Sequence, residues 1–530
     1  MNSQMKKLPG IFNDVIGPVM RGPSSSHTAA SWRIARIALN ILNEPLKQAL
    51  IEFDLDGAWA PNYREQGTTM GIDGGLSGFD ITDERMKTAE SEARQKGINI
   101  EYQVSSFLTD HANTVRLTLC GISGKRVQII AVSLGGGSFE IRSVNGFPVR
   151  LNGDRYGIII FTREKKDLND ELKNRITPGV ELSSEQQGDA MMYEFKSSYP
   201  FTAELMAHLQ NHPFIDHLGV INPIMPVITG RETEMPFTTI SSLLAYAEEN
   251  DADLGDLGLI WEKCISGNSG EDLNARMKEI INIINNSIDS GLKGTKYADR
   301  ILPQQSHLIR KAEKDGKIGE SVVNRMIENV SALMESKSAM EVIVAAPTAG
   351  SCGTVGGSLK AVSDNLVTSA DKLENSADEL VKAYFAAGIV GAYFAQGPGF
   401  SAEEHGCQVE CGAASGMAAA GIVQLLGGTA KQAIDAASMA IQNMIGLICD
   451  PVADRVEIPC LGKNISAAVN AYASAIMSIS GFDCVIPLDQ VIQTVSDVGK
   501  TMPSCVKCTG KGGLAVTETA LRVKNRLGEL

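Results

Sequence analysis

The chain has 530 residues, of which 43% are hydrophobic, 21% charged and 5% aromatic, and its net charge at pH 7 is −14. A chain of this length divides into roughly two to four domains with ample apolar sequence for buried cores. The acidic balance, with no run of Lys and Arg against it, excludes a typical nucleic-acid binder.

The first residues, MNSQMKKLPGIFNDV, lack the apolar region of a secretory leader. The most apolar stretches, 382–397 and 411–448, are broken by charged residues or paired glycines before the roughly 20 apolar residues of a membrane span. They read as buried helices, and a cytoplasmic protein without a membrane partner is expected.

Residues 1–165 alternate helical and β-rich runs. Apolar spacing predicts helices over 28–48 and 82–97. IEFDL (51–55), TVRLTLCG (114–121), RVQIIAVSL (126–134), FEIRSVNG (139–146) and YGIIIF (156–161) predict strands, being rich in β-branched residues. After Thr162 the sequence turns charged, then polar, and 166–236 is expected to be a linker with helical pieces. From 237 to 530 helical periodicity continues, broken by the turns AAPTAGSCG, AQGPGFSAEEHGCQ, ICDP and EIPCLG. Each carries a cysteine. The fold class expected is multidomain α+β, an N-terminal α/β domain followed by an all-α domain.

Ten cysteines in a reducing compartment are thiols, available as metal ligands or reactive groups. Cys407, Cys449 and Cys460 all lie in turns next to predicted helix ends, where several side chains can be aimed at one point. From spacing alone, metal ligands and small buried hydrophobes are equally good readings, because no short C-x-x-C frame joins the three. Glu410 and Asp450 are their neighbours, and Glu410 reads best as a helix cap or a solvated residue. Cys505 and Cys508 form a true C-x-x-C without the βαβ context of a redox pair. They could add a ligand, hold a second metal, or be incidental. Cys120, Cys264 and Cys484 read as packing residues. In GPSSSHT, a Gly-Pro turn precedes Ser24, Ser25 and Ser26, so hydroxyls and open helix N–H groups could receive a carboxylate. His27 there could transfer protons; the alternative is an N-cap with a surface histidine.

The motifs AAPTAGSCGT (345–354), GCQVECGAASGMAAA (406–420), GLICDPVADRVEIPC (446–460) and MPSCVKCTGKGGLA (502–515) occur in this order, after GPSSSHTAA (22–30), GFDITDER (78–85) and SLGGGSFEIRSVNGF (133–147). Together they resemble the iron–sulfur-dependent L-serine dehydratases, with a β-like part and an α-like part in one chain. The resemblance implies a substrate-binding α/β domain and a catalytic helical domain. It implies a [4Fe–4S] cluster on Cys407, Cys449 and Cys460, with Cys505 or Cys508 as a possible extra ligand. It also implies catalytic roles for Ser26 and His27, and substrate contacts from Ser24, Ser25, Thr28, Gln66, Thr68, Pro347, Thr348 and Ser351. A small-molecule substrate is expected, a homodimer is one possible assembly, and the resemblance implies no pyridoxal phosphate.

Three departures stand out. Gln66-Gly67-Thr68-Thr69 replaces the family's His-Gly-Thr-Asp, exchanging a titratable ring and a carboxylate for an amide and a hydroxyl. The family's ACT-type regulatory module is expected to be missing or cut short after YGIIIF. Cys411, Cys505 and Cys508 stand where the family has other residues. A related lyase with a different substrate, and a cluster-bearing redox sensor, are the competing expectations.

Overall fold

The computed structural model describes residues 8–162, 167–297, 299–367 and 376–528. The first seven residues, read above for a leader, and the boundary at 165–166 lie outside them. The strands are β1 (Val19–Met20), β2 (Leu46–Asp54), β3 (Asn99–Ser105), β4 (Thr114–Gly121), β5 (Arg126–Gly135), β6 (Ser138–Val144), β7 (Phe147–Leu151), β8 (Tyr156–Thr162), β9 (Val180–Gln187), β10 (Ala190–Ser197), β11 (His217–Ile221) and β12 (Ile343–Val344). Helices dominate after residue 240, so the chain is mixed α+β. Among the described residues, no helix is long and apolar enough to cross a membrane.

The first sheet has the order β3-β2-β4-β5-β6-β7, with β2 and β3 parallel and the other neighbours antiparallel. Alternation along β4 turns Val115, Leu117 and Leu119 toward Ile34, Ile37, Ala38 and Ile41 of helix Ala30–Leu42. That core fixes the helix, and so fixes the SSSHT turn that feeds it.

The segment expected to be a linker is a second sheet. β8, helix Asn169–Lys173, β9, β10, helix Ala203–Gln210 and β11 form a βαββαβ unit with strand order β11-β8-β10-β9, all neighbours antiparallel. Ile158, Ile160, Tyr193 and Phe195 pack with Leu168, Leu172, Leu205 and Leu209 in a core of their own. YGIIIF is therefore the first strand of a complete unit, and the chain is not cut short after it. Polar composition hid this unit: β9 is an edge strand whose VELSSEQQ side chains are mostly exposed, and β10 is buried along almost its whole length and does not alternate.

In the helical half, helix Cys411–Leu425 is the central element, with every residue from Cys411 to Gln424 buried. Its small side chains let helices Cys352–Val367, Ser376–Gln396, Ala430–Gln442 and Cys460–Ile479 pack around it.

Two backbone links then draw distant segments to one place. β1 pairs antiparallel with β12, and Gly17 N donates to Ala345 O at 2.9 Å, which sets the SSSHT turn beside PTAGS (347–351). Gly135, at the end of β5, forms a bridge with Phe400. Its φ is +93°, and an added Cβ would lie 2.7 Å from Ser401 N, so the approach requires glycine.

Candidate active site

The SSSHT segment starts its helix with a π-helical turn, Ser25–Ala29, capped by Ser24, whose Oγ accepts from His27 N at 3.4 Å. Here the N-cap reading is right, but His27 is not at the surface: it is fully buried, with Trp59 against its ring. Asn62 Nδ2 donates to the Cys508 carbonyl at 3.2 Å, which leaves Asn62 Oδ1 facing His27 Nε2 at 3.1 Å. The ring therefore carries its proton on Nε2 and presents Nδ1 as an acceptor. Ser24 Oγ and Ser26 Oγ both lie 3.1 Å from Nδ1, and Glu403 Oε1 lies at 3.6 Å while accepting from Ser26 Oγ at 2.8 Å. Burial pulls the His27 pKa below its ordinary value, with the Glu403 charge and the Asn62 hydrogen bond opposing it.

The loop at Gln66 closes on this turn. Gly67 has φ +82°, and a Cβ there would meet Thr28 Oγ1 at 2.5 Å. Thr28 Oγ1 donates to Gln66 O, Gln66 Nε2 donates to Cys508 Sγ at 3.6 Å, and Thr68 Oγ1 is buried without a partner. From the helical half, Ala349 N donates to Ser25 Oγ at 3.2 Å. Thr348 and Ser351 cap one another reciprocally, and Thr348 Oγ1 also donates to Glu410 Oε1 at 2.7 Å. Pro347 heads this turn, with its carbonyl oxygen toward Gly136.

Cys407, Cys411, Cys449, Cys460 and Cys508 are all buried. Cys407 Sγ lies 3.8 Å from Cys411 Sγ, and Asn464 Nδ2 donates to Cys411 Sγ at 3.7 Å. The Cys449 turn and the C-x-x-C segment are laced together, Cys449 N donating to Val506 O at 2.8 Å and Cys508 N to Cys449 O at 3.0 Å. Hydrogen bonds from the Cys411 and Cys449 thiols hold Cys407 well below the usual thiol range, against the effect of burial and with help from the Lys463 charge. Burial pushes the Cys460 thiol up to about 12. A bound metal reverses that preference, since a coordinating thiol is deprotonated outright.

Two ammonium groups, one half-buried and one buried, stand ready to offset thiolate charge. Lys463 Nζ donates to Ile448 O at 2.6 Å and to Asp450 Oδ1 at 2.7 Å. Lys337, fully buried, donates to Val456 O and favours the ionised forms of Cys352 and Cys460. Among the described residues, no three of these thiols lie within 4.8 Å of one another. Soft donors gathered at helix-end turns fit a metal group.

The serine dehydratase alpha-chain family matches residues 167–515. Over 292 residues the chain is 32% identical to the probable L-serine dehydratase alpha chain of Bacillus subtilis (strain 168), covering 55% of this chain and 95% of that one. Over 152 residues it is 41% identical to the probable L-serine dehydratase beta chain of the same organism, covering 29% of this chain and 68% of that one. The L-serine dehydratase 1 of Escherichia coli (strain K12) is 31% identical over 288 residues, or 53% of this chain and 62% of its own length.

The chain belongs to the serine dehydratase alpha-chain family. Sequence related to both the alpha and the beta chain thus sits in one polypeptide. In this member, Ser24, Ser25, Ser26, His27, Thr28 and Gln66 meet the thiol turns at one locus. Thr68 begins the helix Thr68–Leu76 that follows the Gln66 loop. Ser351 spends its hydroxyl on the cap with Thr348. Cys508 joins the thiols, whereas Cys505 is half-buried with its carbonyl against Gly512. Glu410 is not a solvated carboxylate: it accepts from Thr348, and Cys407 Sγ lies 3.7 Å from its Oε2. Burial, followed by the Cys407 charge, pushes its pKa well above the usual range. Sequence reasoning missed Glu403, Asn62 and Lys463. For Glu403 there was a signal, its place four residues before Cys407 in the same turn; for Asn62 there was none.

Proposed function

We propose that the chain is a lyase that converts L-serine to pyruvate and ammonia in the reducing cytoplasm, with a [4Fe–4S] cluster held by Cys407, Cys449 and Cys460. The observation that carries this reading is the path from His27 through Asn62 to the Cys508 carbonyl, which joins the hydroxyl-rich turn to the thiol turns. The names of the relatives support L-serine as the substrate. When bound, a cluster with three protein thiolates supplies a Lewis-acidic iron that polarises a substrate oxygen.

The protein's own groups do the rest. Ser24, Ser25 and Ser26 offer hydroxyls, and the start of their helix offers open N–H groups, to the substrate carboxylate. His27 accepts the Cα proton at Nδ1, its tautomer fixed by Asn62 on the other ring nitrogen. Glu403 lies 3.6 Å from Nδ1 and offsets the imidazolium charge as it forms. The β-hydroxyl leaves as water with the proton that His27 took from Cα, giving 2-aminoacrylate and the neutral ring. That enamine tautomerises to the imine, which hydrolyses to pyruvate and ammonia. Burial of His27 and the packing of Trp59 keep bulk water from the ring.

A second reading keeps the chemistry and changes the substrate to another β-hydroxy acid or amino acid. Gln66 favours it, because its amide faces Cys508 where the family has an imidazole. Anaerobically purified protein assayed for keto-acid release from L-serine, L-threonine and simple β-hydroxy acids separates the two. Pyruvate from L-serine supports the first reading. Product from another substrate alone supports the second, and no product from iron-replete protein sinks both.

A further inference from the structure

The βαββαβ unit carries a second cluster of ligand-type side chains, separate from the thiols. Glu171 lies in helix Asn169–Lys173, His208 in the last turn of helix Ala203–Gln210, and His212 four residues further on. His208 Nε2 and His212 Nε2 converge on one oxygen, Glu171 Oε1, at 3.0 Å and 3.2 Å. The two rings meet edge to face with centroids 5.3 Å apart, and the three ligand atoms lie within 4.8 Å of one another. Two imidazoles sharing a carboxylate by hydrogen bonds is the ordinary account of such a group. His212 satisfies it; His208 does not. His208 Nε2 is buried and makes no hydrogen bond despite standing 3.0 Å from the carboxylate.

A tetrahedral ion with bonds of about 2.0–2.1 Å to nitrogen and oxygen separates its ligand atoms by about 3.3 Å. The observed nitrogen–oxygen spacings are within a few tenths of an ångström of that edge. We propose that Glu171, His208 and His212 bind a zinc-type divalent cation, with water in the fourth position. Two imidazoles and one carboxylate suit such an ion and do not suit the soft, all-thiolate chemistry of an iron–sulfur cluster. Binding requires an unprotonated Nε2 on both rings. The His212 proton moves to Nδ1, giving up the long 3.4 Å contact from Phe214 N. The Glu171 side chain is 39% exposed, so the ion enters from solvent. Once bound, it ties the unit's two helices together, and the five-residue helix Asn169–Lys173, which buries only Leu172, gains a second anchor.

The test uses the full chain purified anaerobically, with Zn2+ alone as the probe. Wild type and Cys449→Ala should each keep one zinc that shows a nitrogen/oxygen shell by X-ray absorption, and each should melt at a higher temperature with Zn2+ present. His208→Gln/His212→Gln should lose both signals. Its affinity should fall at least about 100-fold, since even outer-shell partners cost about 10–100-fold. Glu171→Gln, which changes a partly exposed side chain, gives the same comparison if the double variant does not fold. The proposal is overturned if the variants hold zinc as wild type does, or if every bound zinc shows sulfur ligands.

Discussion

Replacing Glu403 with Gln tests the base assignment. Gln keeps an oxygen to accept from Ser26 Oγ, so the change removes charge and leaves the hydrogen-bond geometry in place. Glu403 Oε1 stands 3.6 Å from His27 Nδ1, and its side chain is only 3% exposed. Opposite unit charges at that separation attract by about 4–5 kcal/mol at an effective dielectric constant of ~20. With about half of the imidazolium charge formed in the transition state, the loss is about 2 kcal/mol, or roughly 30-fold in kcat. The sign of the pH effect follows from the same contact. Glu403 favours the imidazolium and raises the His27 pKa, while burial lowers it. Without the carboxylate, burial acts with less opposition and the pKa falls further. A base must be neutral to act, so the acid limb of kcat/KM should move to lower pH. Steady-state kinetics from pH 5 to 9 with anaerobic protein reads both effects. An unchanged kcat with an unmoved acid limb would refute the assignment of His27 as the base.

Asn62→Ala removes the partner of His27 Nε2 and of the Cys508 carbonyl, at a stability cost of about 1–3 kcal/mol by denaturant unfolding. Asn62→Asp, which restores an acceptor for Nε2, should recover part of kcat. Lys463→Met strands the buried Asp450 carboxylate and should cost about 3–5 kcal/mol in the same measurement. Lys431→Ala, which breaks an exposed i,i+4 pair with Asp435, should change stability by no more than about 0.5 kcal/mol. Gln66→His with Thr69→Asp should raise L-serine turnover if the replaced loop has shifted the substrate; unchanged turnover counts against that shift.

Where one face of an element is buried and the other is not, the sequence was readable. TVRLTLCG and RVQIIAVSL emerged as β4 and β5 with boundaries within a residue, because alternation and β-branching agree there. β3, β9 and β10 did not emerge: two are polar strands, and the third is buried on both faces and lacks a period of two. The βαββαβ unit was invisible for that reason, although its first strand had been recognised. At the site, the turns carrying Cys407, Cys449 and Cys460 and the SSSHT turn were legible as motifs. Their partners were not, because the contacts are set by tertiary structure. Ser26 meets Glu403 across 377 positions, and Asn62 meets Cys508 across 446. Single residues of common types carry no local pattern that announces such meetings. The half-buried ammonium of Lys463 was hidden likewise, in a helix whose sequence reads as amphipathic.

The most direct test of the account is iron content measured alongside pyruvate release, for anaerobically purified wild type, Cys449→Ala and Cys505→Ala. Wild type and Cys505→Ala should hold about four irons per chain and release pyruvate from L-serine. Cys449→Ala should lose iron and activity together. A chain that stays free of iron after anaerobic reconstitution, or a Cys449→Ala variant that keeps its iron and its turnover, would contradict the central claim.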